Sequence, residues 1–61
     1  MRQARRVLAV DPGRSKCGLA VVDARAGVLH REVAAADQLE ARVGALLARF
    51  APDAVVVGDR T

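Results

Sequence analysis

One stretch of helical period stands between three strand-like runs and a fourth, and this order restricts the fold more than any other feature of the chain. Leu39, Val43, Leu46, Leu47 and Phe50 recur at the spacing of a single helical face, with Glu40, Arg42 and Arg49 on the other. Before it come apolar or alternating runs at Arg6–Asp11, Cys17–Asp23 and Val28–Val33, and after it comes Ala54–Val57. The first three follow each other closely enough to form an antiparallel meander. A helix between two strands acts as a crossover, so the fourth strand returns parallel to an earlier one, most simply beside the first. The expected fold class is α/β, a β-β-β-α-β unit with strand order 3-2-1-4.

Local chemistry marks the boundaries. Asp11-Pro12-Gly13-Arg14 reads as a type II turn, with Pro12 fixing φ and Gly13 supplying a positive φ. Asp37 and Glu40 have the spacing of a capping box, with Asp37 as the N-cap. Gly44 suggests close packing of the helix on the sheet, and Pro52 ends the helix. Runs one, two and four look buried on both faces, yet a chain of 61 residues offers a single helix to cover them. Residues 1–61 therefore read as one truncated domain, the N-terminal half of a larger one. Otherwise the chain completes itself as a homodimer that covers the open sheet face and the edge of the last strand.

Composition excludes several classes. Cys17 is the single cysteine, so an internal disulfide is impossible and a reducing, cytoplasmic setting is expected. No apolar stretch approaches the ~20 residues of a membrane span, and no signal-peptide core follows the basic start. The net charge of +3 and sequence pI near 10.5 suit nucleic acid as a partner, and equally a plain solvated surface.

The topology sorts the acids. Asp11 ends strand one and Asp59 follows strand four, so parallel neighbours bring both to one edge of the sheet, where open α/β sheets bind ligands. Asp23 and Asp53 fall at the opposite edge. A convergent carboxylate pair calls for a hard cation, Mg²⁺ or Mn²⁺, and two such ions can flank a phosphodiester. Arg14 and Lys16, directly after Asp11, and Arg60, directly after Asp59, are placed to hold a phosphate backbone. Each residue also has a plainer reading. Asp before Pro-Gly is ordinary turn chemistry, and Arg14 and Lys16 suit a solvated loop. Arg2, Arg5 and Arg6 suit a frayed terminus. His30 reads as an exposed side chain and Cys17 as a small buried hydrophobe.

The segment Val7-Leu8-Ala9-Val10-Asp11-Pro12-Gly13-Arg14-Ser15-Lys16-Cys17-Gly18-Leu19-Ala20-Val21-Val22-Asp23 resembles the opening of the YqgF/RuvX family, relatives of the RuvC Holliday-junction resolvases. Ala54-Val55-Val56-Val57-Gly58 is similar to that family's later strand-Val-Gly segment. The resemblance implies a ribonuclease H-like fold and metal-dependent cleavage of nucleic acid, either branched DNA or the 5′ end of pre-16S ribosomal RNA. It makes Asp11 the first metal-binding acid. Asp59 sits near the second acid of RuvC-type resolvases, where YqgF members more often carry Gly-Leu-Pro. Family members run to about twice this length and bring further acids, so this chain is expected to hold a partial metal site and to be inactive or nearly so. Two rivals share features with this reading: a non-catalytic nucleic-acid-binding module, and a fragment of an actin-like ATPase, whose opening Asp-x-Gly loop touches phosphates.

Overall fold

A computed structural model describes residues 5–58. The elements are β1 (Arg6–Asp11), β2 (Lys16–Asp23), β3 (Gly27–Ala35), a 3₁₀ turn (Ala36–Gln38), α1 (Leu39–Phe50) and β4 (Ala54–Val57). They form a small α/β domain with one mixed sheet in the order β3-β2-β1-β4, as the crossover argument requires. β1 and β2 pair antiparallel with Ala9 opposite Ala20, and β1 and β4 pair parallel with Ala9 beside Val56. β3 joins β2 antiparallel, with a bulge opposite Val21 and Val22.

Alternation divides the sheet into two unlike faces. Leu8, Val10, Cys17, Leu19 and Val21 point to the side of α1 and are buried with Leu46. Leu29, Ala34, Leu39, Val43 and Phe50 complete this core at its margin. The other face carries Val22, Val28, Val33 and Val56, all exposed. The expectation of strands buried on both faces thus holds on one face only. β4 is the extreme case, with Val55, Val56 and Val57 all exposed. Among the described residues no helix is long and apolar enough to cross a membrane.

Four local expectations are corrected. Gly13 does not have a positive φ; among the described glycines only Gly27 does, at 83°. Gly13 is required for space instead, because a Cβ there would collide with the carbonyl oxygen of Lys16. The capping box does not form: Asp37 lies in the 3₁₀ turn and the N-cap of α1 is Gln38, without a side-chain cap. The chain enters the helix through that turn, so the first α-helical residue is displaced from the Asp37 signal. Leu47 is exposed despite its place in the apolar series, because the single sheet contacts a narrower stripe than the pattern offers. Gly44 meets nothing within 4 Å of a built Cβ, so it does not mark close packing. Gly44→Ala is therefore expected to stabilise the domain by up to ~1 kcal/mol, read as a melting temperature raised by roughly 4–8 °C.

Polar ties fix the two layers. Arg6 donates from Nη1 to the carbonyl oxygen of Phe50 at 2.8 Å and from Nε to Asp23 Oδ2 at 3.3 Å. Its guanidinium thus sits at the C-terminal, negative end of α1, where a cation is favoured. Arg6 is a structural tether, which corrects its reading as part of a frayed terminus. Across the domain, Arg42 on α1 grips Glu32 on β3 with a bidentate pair, at 2.6 Å from Nε and 2.7 Å from Nη2. His30 Nε2 lies 2.7 Å from Glu32 Oε1, and the imidazole packs 5.6 Å from the Phe50 ring. His30 is thus half-buried and partnered, which corrects its reading as an exposed side chain.

Arg42 first, and His30 second, hold the Glu32 carboxyl down at about 2 from its ordinary 4.5. A depressed carboxylate stabilises the fold fully above its unfolded value and loses that contribution as pH falls through the folded value. Stability is expected to drop between about pH 4.5 and about pH 2. Glu32→Gln should cost on the order of 1 kcal/mol at pH 7 and flatten this part of the acid-unfolding curve, as followed by circular dichroism.

Candidate functional site

Parallel pairing of β1 and β4 makes both strands finish at one rim of the sheet, and the chemistry gathers there. Asp11 is the last residue of β1, exposed, and paired across to Gly18 at the start of β2. Gly58 donates its N–H to the carbonyl oxygen of Val10 at 2.7 Å, extending the parallel ladder beyond β4. A Cβ built on Gly58 would stand 3.7 Å from Asp11 Oδ1, and one on Gly18 would stand 3.9 Å from Asp11 Cβ. Two glycines therefore flank the Asp11 side chain, and neither crowds it with a Cβ. Asp59 and Arg60, the other sequence candidates for this rim, lie outside the described residues.

Arg14 and Lys16 are exposed in and beyond the loop that follows Asp11. The loop is held by Gly13 packed under the Lys16 carbonyl and by the Ala36 N–H, which donates to the Ser15 carbonyl oxygen at 2.9 Å. Two cations thus leave the same rim as the carboxylate.

Asp53 and Asp23, the aspartates that the topology separates from Asp11, have structural tasks at the far rim. Asp53 Oδ2 accepts the backbone N–H groups of Arg6 at 2.9 Å and Arg5 at 3.2 Å, capping the start of β1. Asp23 is buried and accepts the N–H groups of Arg25 at 2.8 Å and Ala26 at 3.0 Å, which shapes the turn into β3. The Ala26 and then the Arg25 N–H hold its carboxyl below the usual range, assisted by Arg6. Cys17 is buried and reaches the Ala34 carbonyl oxygen at 3.5 Å, a core position.

Beside Asp11 the open face of the sheet hollows into a shallow concavity of about 760 Å³. Ala9, Gly18 and Ala20 form its floor, Val56 and Arg31 its sides, and Asp11 one end. Arg31 is a residue the sequence reading missed. The signal was present in the register: Arg31 lies opposite Ala20, which lies opposite Ala9, so all share one row.

Asp11 offers an exposed hard oxygen donor at a strand end, which fits one ligand of Mg²⁺ or Mn²⁺, ions that take one or two carboxylates and fill the remaining positions with water and substrate phosphate. Among the described residues no group of three His, Cys, Asp or Glu side chains converges to hold a metal. No protein-family model, curated protein or solved structure matches the chain.

Proposed function

We propose that this chain carries the first acid and the basic loop of a ribonuclease H-like, YqgF/RuvX-type nuclease centre that acts on structured nucleic acid, RNA or branched DNA. The observation that carries this reading is the position of Asp11, which ends a strand paired in parallel with β4, between two glycines and next to Arg14 and Lys16. A carboxylate among cations at the carboxyl rim of an α/β sheet is suited to a phosphate-bearing ligand held through a divalent ion. Asp11 would hold Mg²⁺ or Mn²⁺, with Asp59 as the candidate second ligand, and Arg14, Lys16 and Arg60 would hold the phosphate backbone. The ion, when bound, stabilises charge on the attacking and leaving oxygens of a phosphodiester. The described residues bring one carboxylate to that task, so the chain alone is expected to bind rather than to turn over. The supporting resemblance covers the Asp-Pro-Gly, basic-loop and Gly-Leu-Ala sequence, and these residues take up the strand-loop-strand arrangement of β1 and β2.

The test is binding of a four-way DNA junction and of a hairpin RNA, each with Mn²⁺ and with EDTA. Mn²⁺ should tighten binding of at least one of them by tenfold or more, and Asp11→Asn should remove that gain. Binding that is equal with Mn²⁺ and EDTA, and unchanged in Asp11→Asn, would establish the rival, a non-catalytic module. The exposed cations Arg14 and Lys16 after Asp11, and Arg31 beside the concavity, are what keep that rival in view. The ATPase reading would require saturable ATP binding by calorimetry.

A further inference from the structure

Charge is spread unevenly along the strands. The Ala36 N–H bonds the Ser15 carbonyl oxygen, which seats the 3₁₀ turn and the start of α1 at the rim of Asp11. Among the described residues that rim holds Arg14 and Lys16 against Asp11, Asp37 and Glu40. The far rim holds Arg5, Arg6, Arg25 and Arg49 against Asp23 and Asp53. The excess of positive charge therefore lies at the end of the sheet away from Asp11.

The fold gathers these arginines from separate elements. Ala24, the neighbour of Arg25, donates its N–H to the carbonyl oxygen of Arg5 at 2.7 Å. Arg6 donates to the carbonyl oxygen of Phe50, the neighbour of Arg49, at 2.8 Å. The two aspartates are engaged from within: Asp53 by the backbone of Arg5 and Arg6, Asp23 by the Arg25–Ala26 turn and the Arg6 guanidinium. Arg6 also occupies the negative end of α1. Arg5, Arg25 and Arg49 remain exposed, and among the described residues none of their side chains pairs with a carboxylate. Each starts from a held position: the N–H groups of Arg5 and Arg25 bond Asp53 and Asp23, and the Arg49 guanidinium lies over the Phe50 ring, 5.0 Å from its centroid.

We propose that Arg5, Arg25 and Arg49 form a metal-independent anchor for the phosphate backbone of nucleic acid, remote from the Asp11 centre. The planar fork of arginine takes phosphate oxygens in pairs, and no lysine stands among the three. The near rim, where acids outnumber cations, draws a phosphate through a divalent ion; the far rim draws it directly. The anchor rests on nucleic acid as the ligand, and it does not require Asp11 to hold a metal. β1 has six residues and spans about 20 Å. A backbone that touches both rims therefore covers about six nucleotides at a rise of ~3.4 Å each, and a mononucleotide engages one rim at a time.

Fluorescence anisotropy of a labelled hairpin RNA, titrated in EDTA at several salt concentrations, tests the anchor. Arg25→Gln and Arg49→Gln should each weaken binding and reduce the slope of log K against log salt by about one, and the double variant by about two. Arg25→Lys keeps the charge and should keep the slope. Both side chains are exposed, so circular dichroism and the urea midpoint of every variant should match those of the native chain. The tightening by Mn²⁺ belongs to the other rim and should persist in the double variant by the same factor. An unchanged slope in the double variant, or polyglutamate that competes as well as unlabelled RNA, would overturn the anchor and leave the Asp11 centre standing. A slope that falls as expected in a chain with no response to Mn²⁺ would support the anchor and remove the centre.

Discussion

Leu46→Ala will leave the chain largely unfolded at 25 °C. Leu46 is the one fully buried residue of α1, with 1% of its surface exposed, and it seats the helix on Leu8, Val10, Leu19 and Val21. The remaining helix contacts, Leu39, Val43 and Phe50, are only half-buried. Truncating a buried leucine to alanine costs about 2–5 kcal/mol, while a domain of this size holds roughly 3–5 kcal/mol in all. The helix has no side-chain N-cap to hold it in isolation, and a helix of 12 residues is marginal in water without tertiary packing. Far-UV circular dichroism with a urea titration is the measurement. The expected result is a sloping baseline with no cooperative transition. Leu47→Ala, at a position 40% exposed on the same helix, should keep the transition within about 0.5 kcal/mol of native. A variant of Leu46 that unfolds as the native chain does would show that the helix is not what closes the core.

Gly13→Ala should produce the next largest loss, roughly 2 kcal/mol. The added methyl would overlap the backbone oxygen of Lys16, and a backbone atom cannot rotate aside as a side chain can. Relief requires widening the loop between Asp11 and Lys16, which opens the end of the β1–β2 ladder where Asp11 faces Gly18. The same titration should show a lowered midpoint with an unchanged slope. Gly44→Ala in the same background should recover part of the loss, since the two sites share no neighbours and their effects should add. A neutral Gly13→Ala would mean that the loop adapts freely and does not position Asp11.

The sheet was legible in the sequence because its signals were redundant. β1 and β4 run over the residues where the apolar runs begin and end, and the helix between them dictated parallel return and strand order. The separation of Asp11 from Asp23 and Asp53 followed from that topology alone. What stayed hidden depends on distances between side chains remote in sequence. The Arg42–Glu32–His30 cluster joins α1 to β3, and nothing in the spacing of those residues announces it. Arg6 reads as one of several terminal arginines until the end of α1 is placed above it. Gly13 was recognised as necessary for the wrong reason: its role is close approach, which a turn template does not encode. Asp37 shows a local motif overruled, because the 3₁₀ turn joining β3 to α1 takes the capping position first.

Everything proposed about function depends on Asp11 being the residue that holds a divalent ion at the carboxyl rim. Nitrogen–proton correlation spectra recorded while Mn²⁺ is added test this directly, because the paramagnetic ion broadens signals near it. Broadening should begin at Asp11, Gly18 and Gly58, spread to the Arg14–Lys16 loop, and vanish in Asp11→Asn. Broadening centred instead on the far rim, around Asp23 and Asp53, or broadening that persists unchanged in Asp11→Asn, would contradict the account.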